Sequence, residues 1–443
     1  MDQLTPKGRP RVRGRRVIPV AAMLLALMVV LPVASASPPE ASPSPSPSPG
    51  ESLPPQGLDP SSSPSPSADP SPSPSVEPSP LRSVSCVLSQ TKVIYGSVVT
   101  VSGVVSPASE RQEVAISLAG TDIGTATTGA DGRFSVDIRP KRGGAVVVRL
   151  VADGTISPAR QLVVKPWATT SYGTPIPFLS LRYVIRVKPS NYGGTIATSV
   201  WHNGKRIATH KKRVRDGRAV FELPMRGVGL FTVKSSYPAF AGLDLRNTST
   251  GLRTRGATLR VGSRGPRVRG FLTGLRRLQI RVPSIGDTLT RGGADAVMAF
   301  QKAYGLPRTY VVSGDDWRKL DVAKTIRPRY SSPYDHLEVD KRRQIMMLVR
   351  GGAVRALIAV STGATGNTPE GRFRIQQKHP FTLSFSGGAV LYRTMGFYGN
   401  FAIHGYPSVP PYPASHGCVR EPMWVADWVN DRSFVGERVY VYR

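Results

Sequence analysis

Ser415-His416-Gly417-Cys418-Val419-Arg420, with Ala402-Ile403-His404-Gly405 upstream of it, is the stretch on which the reading of this 443-residue chain turns. A thiol is a weak nucleophile until a base takes its proton, and a nearby imidazole does so by holding a thiolate–imidazolium pair. Cys418 is therefore the candidate nucleophile and His404 the candidate base. His416, two residues before the thiol, is placed to shape the turn or tune the sulfur. The backbone N–H groups of Gly417 and Cys418 are candidates to stabilise an oxyanion, and glycine lets the backbone approach closely. The carbonyl of Gly405 can hold the His404 tautomer, as a third group does in a triad. Arg420 offers a planar fork that suits a substrate carboxylate. Two rivals stand beside this reading. A zinc site from His404, His416 and Cys418 lacks a further ligand, and a His-x-Cys pair is an awkward chelate. A structural cysteine with incidental histidines is the other.

Working outward, the flanking segments alternate as strands. His336 to Asp340 and Gln344 to Val349 surround the polar turn Lys341-Arg342-Arg343, and Val354 to Val360 runs into Ser361-Thr362-Gly363. Asn367-Thr368-Pro369-Glu370-Gly371-Arg372-Phe373 is a loop stiffened by Pro and Gly that enters another strand. A short helix over Glu421 to Val429 and a last strand over Val439 to Tyr442 follow the cysteine. His379, before Pro380, reads as a surface loop residue.

Four of these features occur in order over Tyr334–Arg443: a Gln-bearing hairpin, Ser-Thr-Gly, Thr-Pro-x-Gly-x-Phe, and then Ile-His-Gly with Ser-His-Gly-Cys-Val-Arg. The segment resembles the L,D-transpeptidases (YkuD-type), wall enzymes with a β-rich catalytic domain and a cysteine nucleophile. The resemblance implies a donor tetrapeptide stem with a diamino acid before a terminal D-Ala. Cys418 would attack the diamino acid carbonyl, release D-Ala and pass the acyl group to an amine on a neighbouring peptidoglycan stem. Ser415 and Thr368 are expected to face the substrate together with Arg420. No metal or organic cofactor is implied, and carbapenem-type inhibitors are. Within the same chemistry, water in place of the amine gives an L,D-carboxypeptidase. A reading from another class is a wall-binding scaffold whose catalytic domain is inactive. The interval from His404 to Ser415 is shorter than the family usually shows and carries Pro407, Pro410, Pro411 and Pro413, and Arg420 stands where many members have Asn.

Upstream, residues 83–165 and 166–256 read as short alternating strands with turn signals, the grammar of two β-sandwiches. They resemble immunoglobulin-like modules of bacterial surface proteins. Cys86 reads as a small buried strand residue, and His202 and His210 as exposed strand or loop residues. Residues 257–325 change to helical periodicity. Ala296-Val297-Met298-Ala299-Phe300-Gln301 carries the resemblance to the three-helix peptidoglycan-binding module, and the catalytic domain is expected over 332–443. The fold class expected is therefore multidomain and mainly β: two immunoglobulin-like β-sandwich modules, a three-helix peptidoglycan-binding module and a β-rich L,D-transpeptidase domain.

The N-terminus sets the address. Lys7, Arg9, Arg11, Arg13, Arg15 and Arg16 precede the apolar run Ile18 to Val33, and Ala34-Ser35-Ala36 supplies small residues for cleavage. Residues 1–36 thus read as a secretory signal peptide, with a membrane anchor as the alternative. Residues 37–82 are almost entirely Pro and Ser and read as a disordered linker. The expectation is a secreted, wall-located protein. The net charge of +31 favours anionic partners. In an exported protein these are acidic wall polymers rather than nucleic acid. Export permits a disulfide, but pairing Cys86 with Cys418 would consume the nucleophile, so both are expected free.

Overall fold

The computed structural model describes residues 81–384 and 388–443. The expected signal peptide and nearly all of the Pro/Ser linker lie outside the described residues. No helix among the described residues is long and apolar enough to cross a membrane.

The first half of the described chain is sheet. Residues Val99–Ser106 pair with Ser83–Val84, Val87–Leu88 and Arg133–Ile138 in one sheet, and Glu113–Leu118 and Gly144–Leu150 lie at the centre of a five-stranded second one. Alternation drives the assembly: Val99, Val101, Val114, Ile116, Val146 and Val148 point inward and are fully buried. Three further strands, with Ser180–Lys188 at the centre, and a four-stranded sheet containing Thr195–His202 and Gly229–Tyr237 repeat the arrangement. The two pairs of sheets share one continuous apolar core. They are also stitched by backbone bonds from Gly143 N–H to the Gly242 carbonyl and from Asp244 N–H to the Val164 carbonyl. Cys86 is buried, as expected, but sits in the break between two short strands rather than within one. His202 and His210 are half-buried, not exposed. The His202 ring stacks on Phe231 and lies 3.8 Å from the Asp321 carboxylate.

Three helices follow. Helix α1 (Pro266–Arg277) starts on a proline, whose missing N–H is no loss in the first turn. Helix α2 (Arg291–Tyr304) starts at Arg291, where the Thr290 hydroxyl accepts the Gly293 N–H, and it stops at Gly305 in the left-handed region. Helix α3 (Gly314–Val322) carries a capping box between Ser313 and Asp316.

The C-terminal region holds two sheets. Numbering its strands from the first, β1 (His336–Asp340), β2 (Ile345–Arg350), β3 (Ala353–Ala359), β4 (Gly371–Arg374) and the last strand of the chain, Arg438–Tyr442, form the order β3-β2-β1-last-β4. The second sheet runs β5 (Gln377–Leu383), β6 (Val390–Tyr398), β7 (Phe401–Tyr406), β8 (Val419–Pro422). Helix α4 (Met423–Arg432) packs against it. The helix starts two residues later than expected, since Glu421 and Pro422 belong to β8. His379 is exposed, as expected, but sits within β5 rather than in a loop.

Period-2 alternation gives the first sheet two buried faces. Met346, Leu348, Ile358, Val439 and Val441 pack toward the second sheet and α4. Ile345, Met347, Val349, Leu357 and Tyr440 pack in one cluster with Val297, Phe300 and Trp317 of the helices. The two are also linked by backbone hydrogen bonds, since the Arg281 N–H donates to the Leu357 carbonyl and the Leu357 N–H to the Gln279 carbonyl, extending the sheet at β3. The helices therefore cover the outer face of the first sheet. Leaving that face bare would expose about 25 cal/mol for every Å² of apolar surface it buries.

Candidate active site

The site grows from one strand pair. β7 and β8 run parallel, with Ile403 opposite Val419 and His404 opposite Arg420. Odd-numbered Ile403 and Val419 are fully buried in the core. Even-numbered Ala402, His404, Tyr406, Cys418 and Arg420 consequently share the opposite face, where they line a cleft of ≈ 570 Å³ with His379, Asn400, Ser415, His416 and Gly417. The parallel pairing is what brings His404 and Cys418 to one surface across fourteen residues of sequence.

The turn that presents Cys418 is fixed from beneath. The buried Ser415 hydroxyl accepts the Gly417 N–H at 3.0 Å and donates to the Cys418 carbonyl. Thr368 Oγ1 donates to the Gly417 carbonyl at 2.6 Å and accepts the Gly363 N–H at 2.8 Å. Asn367 Nδ2 holds the His416 carbonyl at 2.8 Å. Gly417 has φ +140°, and a Cβ there would lie 2.5 Å from the Phe401 ring. Only glycine fits at this point.

A second tier holds the first. Gln344, fully buried at the end of the β1–β2 turn, clasps Thr362 through both ends of its amide, at 2.9 and 2.7 Å. The Thr362 carbonyl in turn accepts the Ala414 and Ser415 N–H groups. Lys341 Nζ donates to the carbonyls of Gly366 and Thr368 and pairs with Glu370.

These contacts correct part of the sequence reading. Thr368 is buried behind the turn and does not line the cleft, and the Ser415 hydroxyl is committed to backbone. Both hydroxyls are spent on building the turn. The Gly417 N–H is taken by Ser415, which leaves the Cys418 N–H as the oxyanion donor of the expected pair. Lys341, Asn367 and the mode of action of Gln344 were not read from sequence. Their signal is thin: polar residues in turns between apolar strands, whose partners lie far along the chain.

His404 is buried, and its Nδ1 lies 3.0 Å from the Gly405 carbonyl. A carbonyl only accepts, so Nδ1 carries the proton and Nε2 presents a lone pair. Burial pushes the imidazole pKa down to about 4, and the nearby Arg420 charge acts in the same sense. Burial also pushes the Cys418 thiol up, against the Ala402 backbone hydrogen bond and Arg420, which pull it down. The Cys418 Sγ lies 3.6 Å from the Asn400 carbonyl. In the substrate-free site burial works against the thiolate–imidazolium pair expected from sequence. Desolvation disfavours both charged forms. The Arg420 guanidinium lies 4.2 Å above the Tyr406 ring, inside the cleft. His416 is exposed at its rim. Both cysteines are free. Among the described residues no three His, Cys, Asp or Glu side chains gather as a metal site would require.

A half-buried cysteine on the turn that enters β8 and a desolvated imidazole on the parallel strand β7 thus line one cleft. Residues 334–441 match the L,D-transpeptidase catalytic domain (YkuD), and through this domain the chain belongs to the L,D-transpeptidase family. Solved relatives include the L,D-transpeptidase of Xylanimonas cellulosilytica, 32% identical over 42% of this chain and 98% of that one, with a TM-score of 0.40. Another is the L,D-transpeptidase of Stackebrandtia nassauensis, 20% identical over 42% of this chain and 95% of that one, with a TM-score of 0.29. A third, LdtMt1, solved in complex with imipenem, is 14% identical over 62% of this chain and 99% of that one, with a TM-score of 0.23. No curated protein matches the chain.

Proposed function

We propose that this protein is an exported, cysteine-dependent L,D-transpeptidase that cross-links peptidoglycan stem peptides and releases D-Ala. The single observation that carries the reading is the convergence of Cys418 and a His404 with a free Nε2 lone pair on one wall of the cleft. In the first half-reaction Nε2 takes the thiol proton as Sγ attacks the diamino acid carbonyl. The Cys418 N–H faces the developing oxyanion. The tetrahedral adduct collapses as His404 returns the proton to the D-Ala nitrogen, and a thioester remains on Cys418. In the second half-reaction an acceptor amine attacks the thioester carbonyl, gives its proton to His404, and restores the thiol. Atoms balance without metal or cofactor.

Arg420, a cation on the cleft wall, is the group to hold a substrate carboxylate, and His416 borders the entrance. The strong positive charge suits an anionic wall, and the helical region is a candidate for peptidoglycan contact. The signal pattern of residues 1–36 supports export. Carbapenems should acylate Cys418 if its thiol is the nucleophile. The test is intact mass after exposure to a carbapenem. A single adduct on Cys418, absent in Cys418→Ala and slow in His404→Ala, is expected. A folded wild-type protein that takes no adduct would sink the acyl-enzyme reading and favour the scaffold.

A further inference from the structure

Residues 407–413 join the two halves of the site: β7, carrying His404, ends at Tyr406, and the cysteine turn begins at Ser415. Four of these seven residues are proline, so the segment has few N–H groups with which to fix itself. Its carbonyls are fixed from outside. Tyr310 OH donates to the Val409 carbonyl at 2.7 Å, Lys302 Nζ to Pro410 at 3.0 Å, Arg308 Nη1 to Pro411 at 2.8 Å, and Ser361 Oγ to Tyr412 at 2.8 Å. Four consecutive carbonyls thus each receive one side-chain donor, and the first three donors come from the helical region.

Lys302 is the centre of this grip. It is buried on α2, and the same ammonium donates to the Val360 carbonyl at 2.8 Å. The next residue, Ser361, pairs by two backbone bonds with Arg420 of β8. Asp295, about two turns back along α2, attracts the ammonium and is itself held by Trp424 Nε1 of α4 at 3.0 Å. A lysine so deeply buried is costly unless its hydrogen bonds serve a purpose. Here they tie the connector between the two reacting groups to the strand end that carries β8.

We propose that the three-helix region acts in the reaction itself, with Lys302, Arg308 and Tyr310 as positioning residues that set the spacing of Cys418 Sγ and His404 Nε2. This rests on the roles given above to those two residues. It differs from a wall-binding role for the helices, which would leave the chemistry untouched when binding is lost. A sub-ångström error in reacting geometry is enough to slow a step by about tenfold or more.

The experiment uses the full exported chain with Tyr310→Phe, Arg308→Ala, Arg308→Lys and Lys302→Met. Tyr310→Phe removes one hydroxyl and keeps the packing, so it remains informative if Lys302→Met fails to fold. Two rates are read on protein shown to be folded: carbapenem acylation, and alkylation of Cys418 by iodoacetamide across pH. Freed from the grip, the cysteine turn admits water. The alkylation profile then shifts to lower pH while acylation falls about tenfold, and Arg308→Lys recovers most of the loss. A merely structural role would not move the two rates in opposite directions. Folded Tyr310→Phe and Arg308→Ala proteins whose alkylation profiles match wild type would overturn the proposal. If wild type itself is never acylated, the transpeptidase reading fails, while the alkylation arm still decides this one.

Discussion

The most exposed consequence of the site's electrostatics concerns proton position before substrate arrives. The perturbation is pH, and the probe is alkylation of Cys418 by a small neutral reagent. Burial raises the thiol above its ordinary value of 9.0. At pH 7 the thiolate is then below about 1% of the protein, and alkylation climbs roughly tenfold per pH unit from pH 6 to 8. His404 at about 4 stays neutral throughout that range. An imidazole at its ordinary 6.5 would be about nine-tenths protonated at pH 5.5 and lost as a base, whereas His404 remains a base there. The sign follows from desolvation: the folded site favours the uncharged form of each group, so thiolate appears only as pH rises. The assay is iodoacetamide labelling from pH 5 to 9, with peptide mapping to separate Cys418 from the buried Cys86. A flat, pH-independent plateau between pH 5 and 7 would mean a resting thiolate–imidazolium pair and would refute this reasoning.

Two further outcomes follow from the same region. Gly417→Ala forces a Cβ against the Phe401 ring at a φ of +140°. It should cost about 1–3 kcal/mol of stability and abolish acylation, both readable by thermal melting and intact mass; a variant with wild-type melting and acylation would show that the turn tolerates a side chain. Glu421, fully buried beside the site with neither carboxylate oxygen hydrogen-bonded among the described residues, has its pKa pushed up by burial to about 8. Its folded pKa exceeds the 4.5 of the free side chain, so its contribution is whole below pH 4.5 and fades as pH rises toward 8, by about 1.4 kcal/mol per unit. Glu421→Gln should flatten that decline, and urea melts at pH 5 and 9 that give equal differences between the two proteins would contradict it.

The place of the candidate site was legible in the sequence because it is carried by short local words. Cys418, His404 and the Gly405 carbonyl sit where those words put them, and strand periodicity located most of β1, β2 and β3. What was illegible depends on contacts between distant segments. Nothing in Val419 or Ile403 announces that their strands run parallel and side by side. Ser415 and Thr368 lie in the motif, yet their hydroxyls are spent on the turn, because a glycine-bearing loop of this shape needs its carbonyls and N–H groups held. The charge state of the Cys–His pair follows from burial, which a sequence window does not measure. The helices, legible by their periodicity, could not be seen from sequence to share a core with the first sheet of the C-terminal region. Their apolar faces satisfy the packing of an isolated bundle and of this interface alike.

The most direct test of the account is mass spectrometry of the products formed from a disaccharide-tetrapeptide by the protein, wild type against Cys418→Ala. The account predicts a cross-linked dimer that has lost one D-Ala, formed by wild type and absent with the variant. Trimmed tripeptide alone would mean that water takes the place of the amine acceptor. Dimer formation by folded Cys418→Ala would contradict the central claim that the acyl group passes through this thiol.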